Sequence, residues 1–245
     1  MNSWPAQFYY FLNGWILRFT EGVTSRANSV FPLHYTSRKD TIDKDINFVE
    51  KAYKTYKLPA IFTIPNFYEP KNLVIKLLEH EFKQVGCITF TMVISTKELQ
   101  KETINEDFAY NFHSKRVKKV SDFLARYSSR DSNAQIVLNA LYNRILIPKK
   151  QHLTVEWNNT VVGTVTGILD PQGYLYIADM LVHPDFRQQN IASSMFYKLI
   201  NDWGLLNGAK KIYLQVESEN TKAVKLYSKL GLIKAYSYYY LEKSL

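Results

Sequence analysis

The stretch Val182-His183-Pro184-Asp185-Phe186-Arg187-Gln188-Gln189-Asn190-Ile191-Ala192-Ser193-Ser194 says more about the fold than any other part of this 245-residue chain. It places an apolar strand end, a proline turn and an Arg-x-x-Asn-x-Ala loop directly before an amphipathic helix. This order leaves several backbone N–H groups unpaired at the positive end of the helix dipole, where anions such as phosphate bind. The stretch therefore predicts a phosphate-binding loop.

The sequence on both sides of this loop predicts alternating strands and helices. Before it, strands are predicted at 151–157, 161–169 and 174–182; after it come a helix at 191–206, a strand at 211–216, a helix at 220–230 and a strand at 236–241. Two more helices are predicted near 120–127 and 132–146. Hairpins followed by strand–helix–strand units are typical of an α/β sheet domain.

The first half of the chain has a similar order of elements. A hairpin is predicted from 14–19 and 23–30 around Glu21-Gly22, followed by a helix at 41–56, a strand at 60–64, a helix at 70–82 and a strand at 87–94. Val30-Phe31-Pro32 matches Val182-His183-Pro184, since each ends a strand before a helix. We interpret the two halves as an internal duplication, with the α/β fold present twice in tandem. Residues 33–40 lack the Arg-x-x-Asn-x-Ala pattern, so the first half has the features of a degenerate copy.

Composition and net charge limit which partners the protein can have and where in the cell it is expected. The net charge of +9 indicates anionic partners, and does not by itself choose between nucleic acid, a membrane and an acidic cofactor. Nucleic acid is disfavoured because the basic residues are dispersed, and no membrane span is expected because the apolar run 8–12 is far shorter than about 20 residues. Cys87 is the single cysteine, which excludes an intrachain disulfide and a cysteine-based zinc site. We expect a cytoplasmic protein without a metal.

Two motifs in the second half resemble the GNAT (GCN5-related) N-acetyltransferases. Arg187-x-x-Asn190-x-Ala192 is similar to the family's Q/R-x-x-G-x-G/A motif, and Asn220-x-x-Ala223-x-x-Leu226-Tyr227-x-Lys229-Leu230-Gly231 is similar to its later N-x-x-A-x-x-L-Y-x-x-L-G-F motif. The resemblance covers about residues 161–241 and implies a mixed, mostly antiparallel sheet flanked by helices. Residues 13–19 and 26–30 further resemble the first half of two-domain GNAT proteins.

The resemblance implies acetyl-CoA as the cofactor, with its pyrophosphate bound by the backbone amides of residues 188–193. Asn190 stands where the family has glycine, and asparagine tolerates a positive φ better than most residues do. In the family, the strand before the loop separates from its neighbour and pairs with the pantetheine arm. The implied cofactor-binding residues are Met180, Leu181, Val182, Arg187, Gln188, Gln189, Asn190, Ile191, Ala192, Ser193, Asn220 and Tyr227. The alternative is an ordinary helix start with a solvated Arg187.

Three residues are candidates for proton transfer. Tyr227 matches the family tyrosine that protonates the departing CoA thiolate, and the pKa of a phenol, about 10, lies above the value of about 8.5 for a thiol. Glu217 and Asp179 are both candidates for the base that takes a proton from the amine, directly or through water. For each carboxylate, a structural role is the alternative.

Arg18, Arg26 and Asn28 are candidate substrate-binding residues on the predicted strands of the first half. Either they hold an acidic or polar substrate, or they lie on a solvated face of the sheet.

The sequence therefore predicts two domains, 1–105 as a degenerate GNAT-like domain and 106–245 as the acetyl-CoA-binding domain. The expected activity is transfer of an acetyl group to a primary amine by direct attack, with a small-molecule acceptor favoured and the protein a monomer or homodimer. A non-catalytic acyl-CoA-binding regulatory protein and a protein amino-terminal acetyltransferase are the alternatives.

Overall fold

A computed structural model describes residues 3–38, 41–100, 104–128 and 131–244. The chain divides into two compact units. We call Trp4–Phe90, Glu217–Glu219 and Tyr236–Leu245 the amino-terminal unit, and Met1–Ser3, Thr91–Val216 and Asn220–Ala235 the carboxyl-terminal unit. The end of the chain thus groups with the amino-terminal unit, whereas the predicted domains 1–105 and 106–245 are contiguous.

The amino-terminal unit pairs strands and helices around one apolar core. Its elements are β1 (Phe8–Leu12), β2 (Trp15–Phe19), α1 (Ile42–Thr55), β3 (Ala60–Pro65), α2 (Leu73–Glu79), the first part of β4 (Lys83–Ser95) and most of β10 (Ile233–Lys243). The strand order is β3–β10–β4, and β10 runs antiparallel to β3 with Tyr240 opposite Thr63. Buried residues of β2, β3, α1 and α2 form the core, which includes Trp15, Leu17, Ile46, Val49, Phe62 and Leu77.

The hairpin of this unit lies earlier in the chain than the sequence predicts, so that prediction was wrong. β1 and β2 form an antiparallel pair around Asn13 and Gly14, which have φ values of 47° and 86°. Such positive values suit a two-residue hairpin turn, and a Cβ on Gly14 would lie 1.7 Å from the carbonyl oxygen of His34. The predicted strand 23–30 is instead irregular, because Asn28 Oδ1 accepts from the amides of Thr20 and Gly22.

The carboxyl-terminal unit is a mostly antiparallel sheet flanked by helices. Its elements are β5 (Ala109–His113), α3 (Lys118–Tyr127), α4 (Ser132–Asn143), β6 (Lys150–Trp157), β7 (Thr160–Leu169), β8 (Tyr174–Val182), α5 (Ile191–Leu199), β9 (Lys211–Glu217) and α6 (Thr221–Lys229). The strand order is β4–β9–β8–β7–β6–β5, in which β8 and β9 are parallel and β5 to β8 are antiparallel. The predicted mixed, mostly antiparallel α/β fold is confirmed.

Two glycines let α5 lie close to the sheet. A Cβ on Gly163 would lie 3.2 Å from the sulfur of Met195, and one on Gly167 would lie 3.1 Å from a methyl of Leu199. Both glycines are on β7, so the helix that follows the predicted phosphate loop is seated directly over this strand. Beyond Leu199 the chain forms a π-helical turn, Ile200–Gly204, and a 3-10 turn, Leu205–Asn207, in place of the predicted end of the α-helix.

Candidate active site

The loop before α5 has the backbone conformation that its sequence predicts. Asn190 has a φ of 59° and a ψ of 11°, in the left-handed region, and Gln188 has a φ of 64°. Asparagine is among the non-glycine residues that most often adopt this conformation. The expectation that Asn190 supports a positive φ in the glycine position is confirmed.

This loop presents a row of unpaired backbone amides. Within the described ranges, the N–H groups of residues 188 to 193 donate to no protein acceptor, and the first amide of α5 that does is that of Ser194, which bonds Asn190 O. The side chain of Asn190 does not cap the helix. Six consecutive free donors at the positive end of a helix dipole make a binding site for an anion.

A residue outside the motif holds the loop in place. Asn105 donates from Nδ2 to the carbonyl oxygen of Gln189 at 3.0 Å, and its backbone amide donates to Ser194 Oγ at 3.0 Å. Sequence reasoning missed Asn105, because it lies far from the loop in sequence and in no recognisable motif. Because the C=O and N–H of a trans peptide point in opposite directions, the amide of Asn190 points away from Asn105.

The loop lines a pocket of about 490 Å³ within the carboxyl-terminal unit. Every predicted cofactor-binding residue except Gln189 lines it, and Phe186, Lys222, Ala223 and Leu226 line it as well. Asn220 caps α6 by accepting from the amide of Ala223 at 3.2 Å, so the amino-terminal ends of α5 and α6 both border the pocket. Lys222 follows this cap within the second motif, where a search for basic residues would have found it. Two helix dipoles and the cations Arg187 and Lys222 favour a negatively charged occupant.

One edge of β8 is free beside this pocket. β8 pairs with β9 from Tyr174 opposite Lys211 to Ile177 opposite Leu214, and not beyond. Its other edge stays paired with β7 as far as Val182. The expected separation of β8 from its neighbour is therefore confirmed. The last five residues of β8 leave backbone groups on this side available for an extended ligand.

A bulge turns β8 at this point. Asp179 has a φ of 50°, and the register with β7 shifts so that Asp179 and Met180 stand opposite the single residue Val165. A bulge bends its strand and redirects the side chains around it. It places Met180 in the pocket lining while Asp179 does not line the pocket.

Tyr227 lies on α6 and lines the pocket. Its side chain is buried, and Oη lies 3.7 Å from the sulfur of Met180 as a weak donor. Burial, and to a lesser extent the nearby Tyr176, raises the pKa of Tyr227 to about 12. The phenol is therefore protonated at neutral pH and able to donate its proton.

The two candidate bases differ in their surroundings. Asp179 forms an ion pair of 3.1 Å with Nη2 of Arg116, and the two side chains are only 9% and 5% exposed. The Arg116 guanidinium also lies over the ring of Tyr142. Glu217 is the last residue of β9 and is exposed. Asp179 therefore has a buried cationic partner, and Glu217 has free access to solvent.

The predicted substrate residues belong to the amino-terminal unit. Arg18 is on β2 and is buried, which rules out a solvated position for it. Arg26 lies in a 3-10 turn, Ser25–Ala27, and Asn28 follows that turn, so neither is on a strand as predicted. The amide of Asn28 is used locally, because Nδ2 donates to the carbonyl of Thr24 and Oδ1 accepts two backbone bonds.

In the described part of the chain, no group of three or more His, Cys, Asp or Glu side chains could hold a metal ion. None of the described helices is both long enough and apolar enough to cross a bilayer.

Two families match different parts of the chain. Residues 118–232 match the family described as "Acetyltransferase (GNAT) family". Residues 1–93 match a separate family described as "Probable histone acetyltransferase Rv0428c C-terminal". The second match covers the part of the chain that lacks the phosphate loop.

Individual proteins are similar over most of the chain. The Uncharacterized N-acetyltransferase YobR of Bacillus subtilis is 27% identical over 242 residues, which cover 97% of this chain and 93% of that protein. A GCN5-related N-acetyltransferase from Kribbella flavida has a TM-score of 0.70 at 10% identity, over 97% of this chain and 90% of the other. A tandem GNAT protein from the clavulanic acid biosynthesis pathway has a TM-score of 0.67 at 6% identity, over 88% and 74%. The structural likenesses show that the tandem fold is shared.

Proposed function

Because residues 118–232 match the GNAT acetyltransferase family, we propose that the protein moves the acetyl group of acetyl-CoA to a primary amine by direct attack. The acceptor is a small molecule. Acetyl-CoA supplies the acetyl group as a thioester, which an amine attacks without a covalent enzyme intermediate. The single cysteine, Cys87, lies on β4 outside both motifs, and the proposal gives it no part in the reaction.

The observation that carries this proposal is the row of six free amides at the start of α5. Five of these six amides, all but that of Gln189, belong to residues that line the same pocket as Arg187 and Lys222. Pyrophosphate offers several anionic oxygens to such donors, and a neutral ligand would leave them unpaired. The pocket volume of about 490 Å³ is in the usual range for a small-molecule site.

The free edge of β8 gives the pantetheine arm a place in this proposal. Met180, Leu181 and Val182 line the pocket, and their backbone lies on the edge that β9 leaves unpaired. An arm with amide groups can pair with such an edge as an added strand. Backbone N–H groups there would polarise the acetyl carbonyl and stabilise the negative charge that develops on its oxygen.

Tyr227 is the proposed acid. Its raised pKa keeps the phenol protonated at neutral pH. After it donates this proton to the leaving sulfur, the strongly basic tyrosinate takes a proton from the ammonium product or from solvent, which restores the phenol. For the proton on the amine, Asp179, Glu217 and a water molecule remain the proposed acceptors. The buried pairing of Asp179 with Arg116 favours a positioning role for Asp179, and leaves solvent or Glu217 as the better acceptor.

Acetyl transfer is tested by incubating the full-length protein with acetyl-CoA and a panel of amino acids, polyamines, aminoglycosides and peptides, and following the release of free thiol. The proposal expects amine-dependent release with at least one small amine and an acetylated product by mass spectrometry. Tight CoA binding without thiol release from any amine would instead support a non-catalytic acyl-CoA-binding protein. Acetylation of peptide amino termini alone would support a protein amino-terminal acetyltransferase.

A further inference from the structure

The first strand of the amino-terminal unit is an edge strand without the usual protection. β1 has the sequence Phe-Tyr-Tyr-Phe-Leu, and in the described part of the chain it pairs with β2 alone. Natural edge strands usually carry a charge, a proline or a bulge that prevents pairing with another chain. β1 has no charged residue and no proline, and its register with β2 is uninterrupted from Phe8 to Leu12. Its outer edge is therefore open to another strand.

The aromatic side chains of β1 are exposed on both of its faces. Phe8 and Phe11 are 57% and 71% exposed, and Tyr9 and Tyr10 are 41% and 49% exposed. Phe48 of α1 is 40% exposed, and its ring lies 5.3 Å from that of Tyr10. We call these five residues the aromatic patch. Since an aromatic side chain has about 200 Å² to bury, the patch offers at most about 500 Å². Two copies of it offer about 1,000 Å², which is the least that a specific interface needs.

The hairpin decides which backbone groups of β1 are free. A two-residue turn joins β1 to β2, so the residues that flank it, Leu12 and Trp15, exchange hydrogen bonds across the hairpin. Hydrogen-bonded and non-hydrogen-bonded pairs alternate along an antiparallel ladder. The N–H and C=O groups of Tyr9 and Phe11 therefore point away from β2, toward the open edge.

A second copy of β1 has the groups that this edge needs. In an antiparallel pairing centred on Tyr10, Tyr9 of each copy lies opposite Phe11 of the other, and the two pairs exchange four hydrogen bonds. Tyr9 then meets Phe11 on one face, and Tyr10 meets its own counterpart on the other, so aromatic rings pair with aromatic rings. A register shifted by one residue would set the free groups against groups already bonded to β2.

We propose that β1 is a homodimer interface, in which two copies of the chain pair antiparallel through their aromatic patches about a two-fold axis at Tyr10. A second copy is favoured over a lipid surface, because a strand supplies both donors and acceptors in register and the apolar part of a bilayer supplies neither. The small area indicates a reversible dimer. The residues of this interface do not line the pocket before α5, so the proposal is independent of acetyl transfer.

Sedimentation equilibrium of the full-length protein tests for this dimer. Between about 1 and 500 μM we expect a monomer–dimer equilibrium with a Kd of about 1–100 μM, as for other interfaces of the smallest size class. Phe11→Lys should raise this Kd by about 30-fold or more, because it places a charge on the pairing edge. Ile75→Lys is the matched control, since Ile75 is an apolar residue of α2 that is 61% exposed, and it should leave the Kd unchanged.

Two further substitutions at Phe11 separate the backbone from the side chain. Phe11→Pro removes the outward N–H together with the ring, whereas Phe11→Ala removes only the ring. Because this N–H does not bond β2, proline is tolerated at such an edge position. Phe11→Pro should therefore weaken the dimer more than Phe11→Ala does, with circular dichroism confirming that both variants are folded. Equal dimer affinities for the two folded variants would argue that the strands do not pair.

Crosslinking tests the position of the two-fold axis. In a Cys87→Ser background, Tyr10→Cys should form a disulfide between two copies on mild oxidation. The two residues at the axis form a non-hydrogen-bonded pair with Cα atoms about 4.5 Å apart, within the range of a disulfide. Ile75→Cys in the same background is the control and should remain uncrosslinked on a non-reducing gel.

The wild-type measurement decides the proposal even where a variant fails to fold. The proposal is overturned if the wild type remains a monomer up to about 500 μM, far above the Kd range of specific complexes. It is also overturned if Phe11→Lys dimerises as the wild type does, or if Tyr10→Cys crosslinks no faster than Ile75→Cys. Binding of a monomer to phosphatidylserine vesicles that is lost in Phe11→Lys would assign the aromatic patch to a membrane surface instead.

Discussion

Tyr227 has to deliver a proton to the leaving sulfur in the proposed reaction, and its surroundings suit this role. Tyr227 lines the pocket, and its hydroxyl donates a weak bond to the sulfur of Met180, which could be exchanged for another sulfur acceptor. Tyr227 was found from its place in the second motif, which set it apart from the other 17 of the 18 tyrosines.

Replacing Tyr227 by Phe keeps the ring and removes the proton. We expect kcat to fall by about 100-fold or more, because general acid catalysis contributes factors of this size, while the Kd of CoA measured by calorimetry changes little. Tyr174→Phe, at an exposed tyrosine on β8, is the matched control and should keep full activity. Because the pKa of Tyr227 is about 12, the wild type should show no loss of kcat from this group between pH 8 and 10. A descending limb near pH 9 that vanishes in Tyr227→Phe would argue against this assignment.

Asp179 and Arg116 form a buried pair, and breaking it leaves a charge without a partner. Asp179→Asn should lower the free energy of unfolding by about 3–5 kcal/mol, measured by urea denaturation. Combining it with Arg116→Met should recover most of this loss, whereas combining it with Arg144→Met at an exposed arginine should not. If Asp179→Asn instead abolished turnover while stability was unchanged, Asp179 would be acting as the base.

Single residues were predictable where their role is local. Asn190 and Tyr227 belong to motifs, and the positive φ of Asn190 follows from its own side chain. Asn105 and Arg116 were not predictable, because each works through a partner that only the folded chain brings near.

At the scale of elements, the loop and the first turn of α5 form one structural unit. The backbone conformation at residue 190 sets where the helix begins and where its free amides point. Any residue that disfavours a positive φ at this position would therefore disturb the anion site.

Two substitutions at Asn190 test whether the positive φ at this residue is needed for anion binding. Asn190→Gly should leave the Kd of CoA unchanged or lower it, because glycine adopts a positive φ freely. Asn190→Val should raise that Kd roughly tenfold, because the left-handed conformation costs about 1–2 kcal/mol for an ordinary residue and more with a branched Cβ. Gln189→Val is the control, since Gln189 is exposed, does not line the pocket and has no positive φ. Equal affinities for all three variants would contradict this account of the loop.

The periodicity of apolar residues predicted where most helices and strands lie. It failed where local backbone geometry sets the end of a helix or where a strand is short. The apolar spacing of Met195, Leu199 and Trp203 continues past the end of α5, because a π-helical turn changes the backbone bonds without ending the apolar face. β1 and β5 were missed. β1 is an unbroken run of aromatic and apolar residues, and the alternation in β5 is only four residues long.

At the scale of the whole molecule, Tyr236–Leu245 group with the amino-terminal unit, although they come last in the sequence. The tandem arrangement could be predicted from the sequence, because both halves repeat the same order of elements. The pairing of β10 with β3 could not, because strand partners far apart in sequence leave no trace in local patterns.

Removing residues 236–245 should unfold the amino-terminal unit, although the cut lies at the opposite end of the chain. β3 would lose its antiparallel partner, and the core would lose Leu241. Hydrogen exchange of peptides from β3 and α1 should become fast in this truncation and stay slow when only residues 244–245 are removed. Slow exchange of β3 in the longer truncation would show that the unit does not need β10.

The central claim is that the free amides before and within the first turn of α5 hold the pyrophosphate of CoA. The direct measurement is amide hydrogen exchange of residues 188–193, resolved by NMR, with and without CoA. These amides should exchange fast in the free protein and slow strongly with CoA, while adenosine, which lacks the pyrophosphate, should leave them unprotected. If CoA bound and these six amides stayed unprotected, the pyrophosphate would lie elsewhere and the account of this site would be wrong.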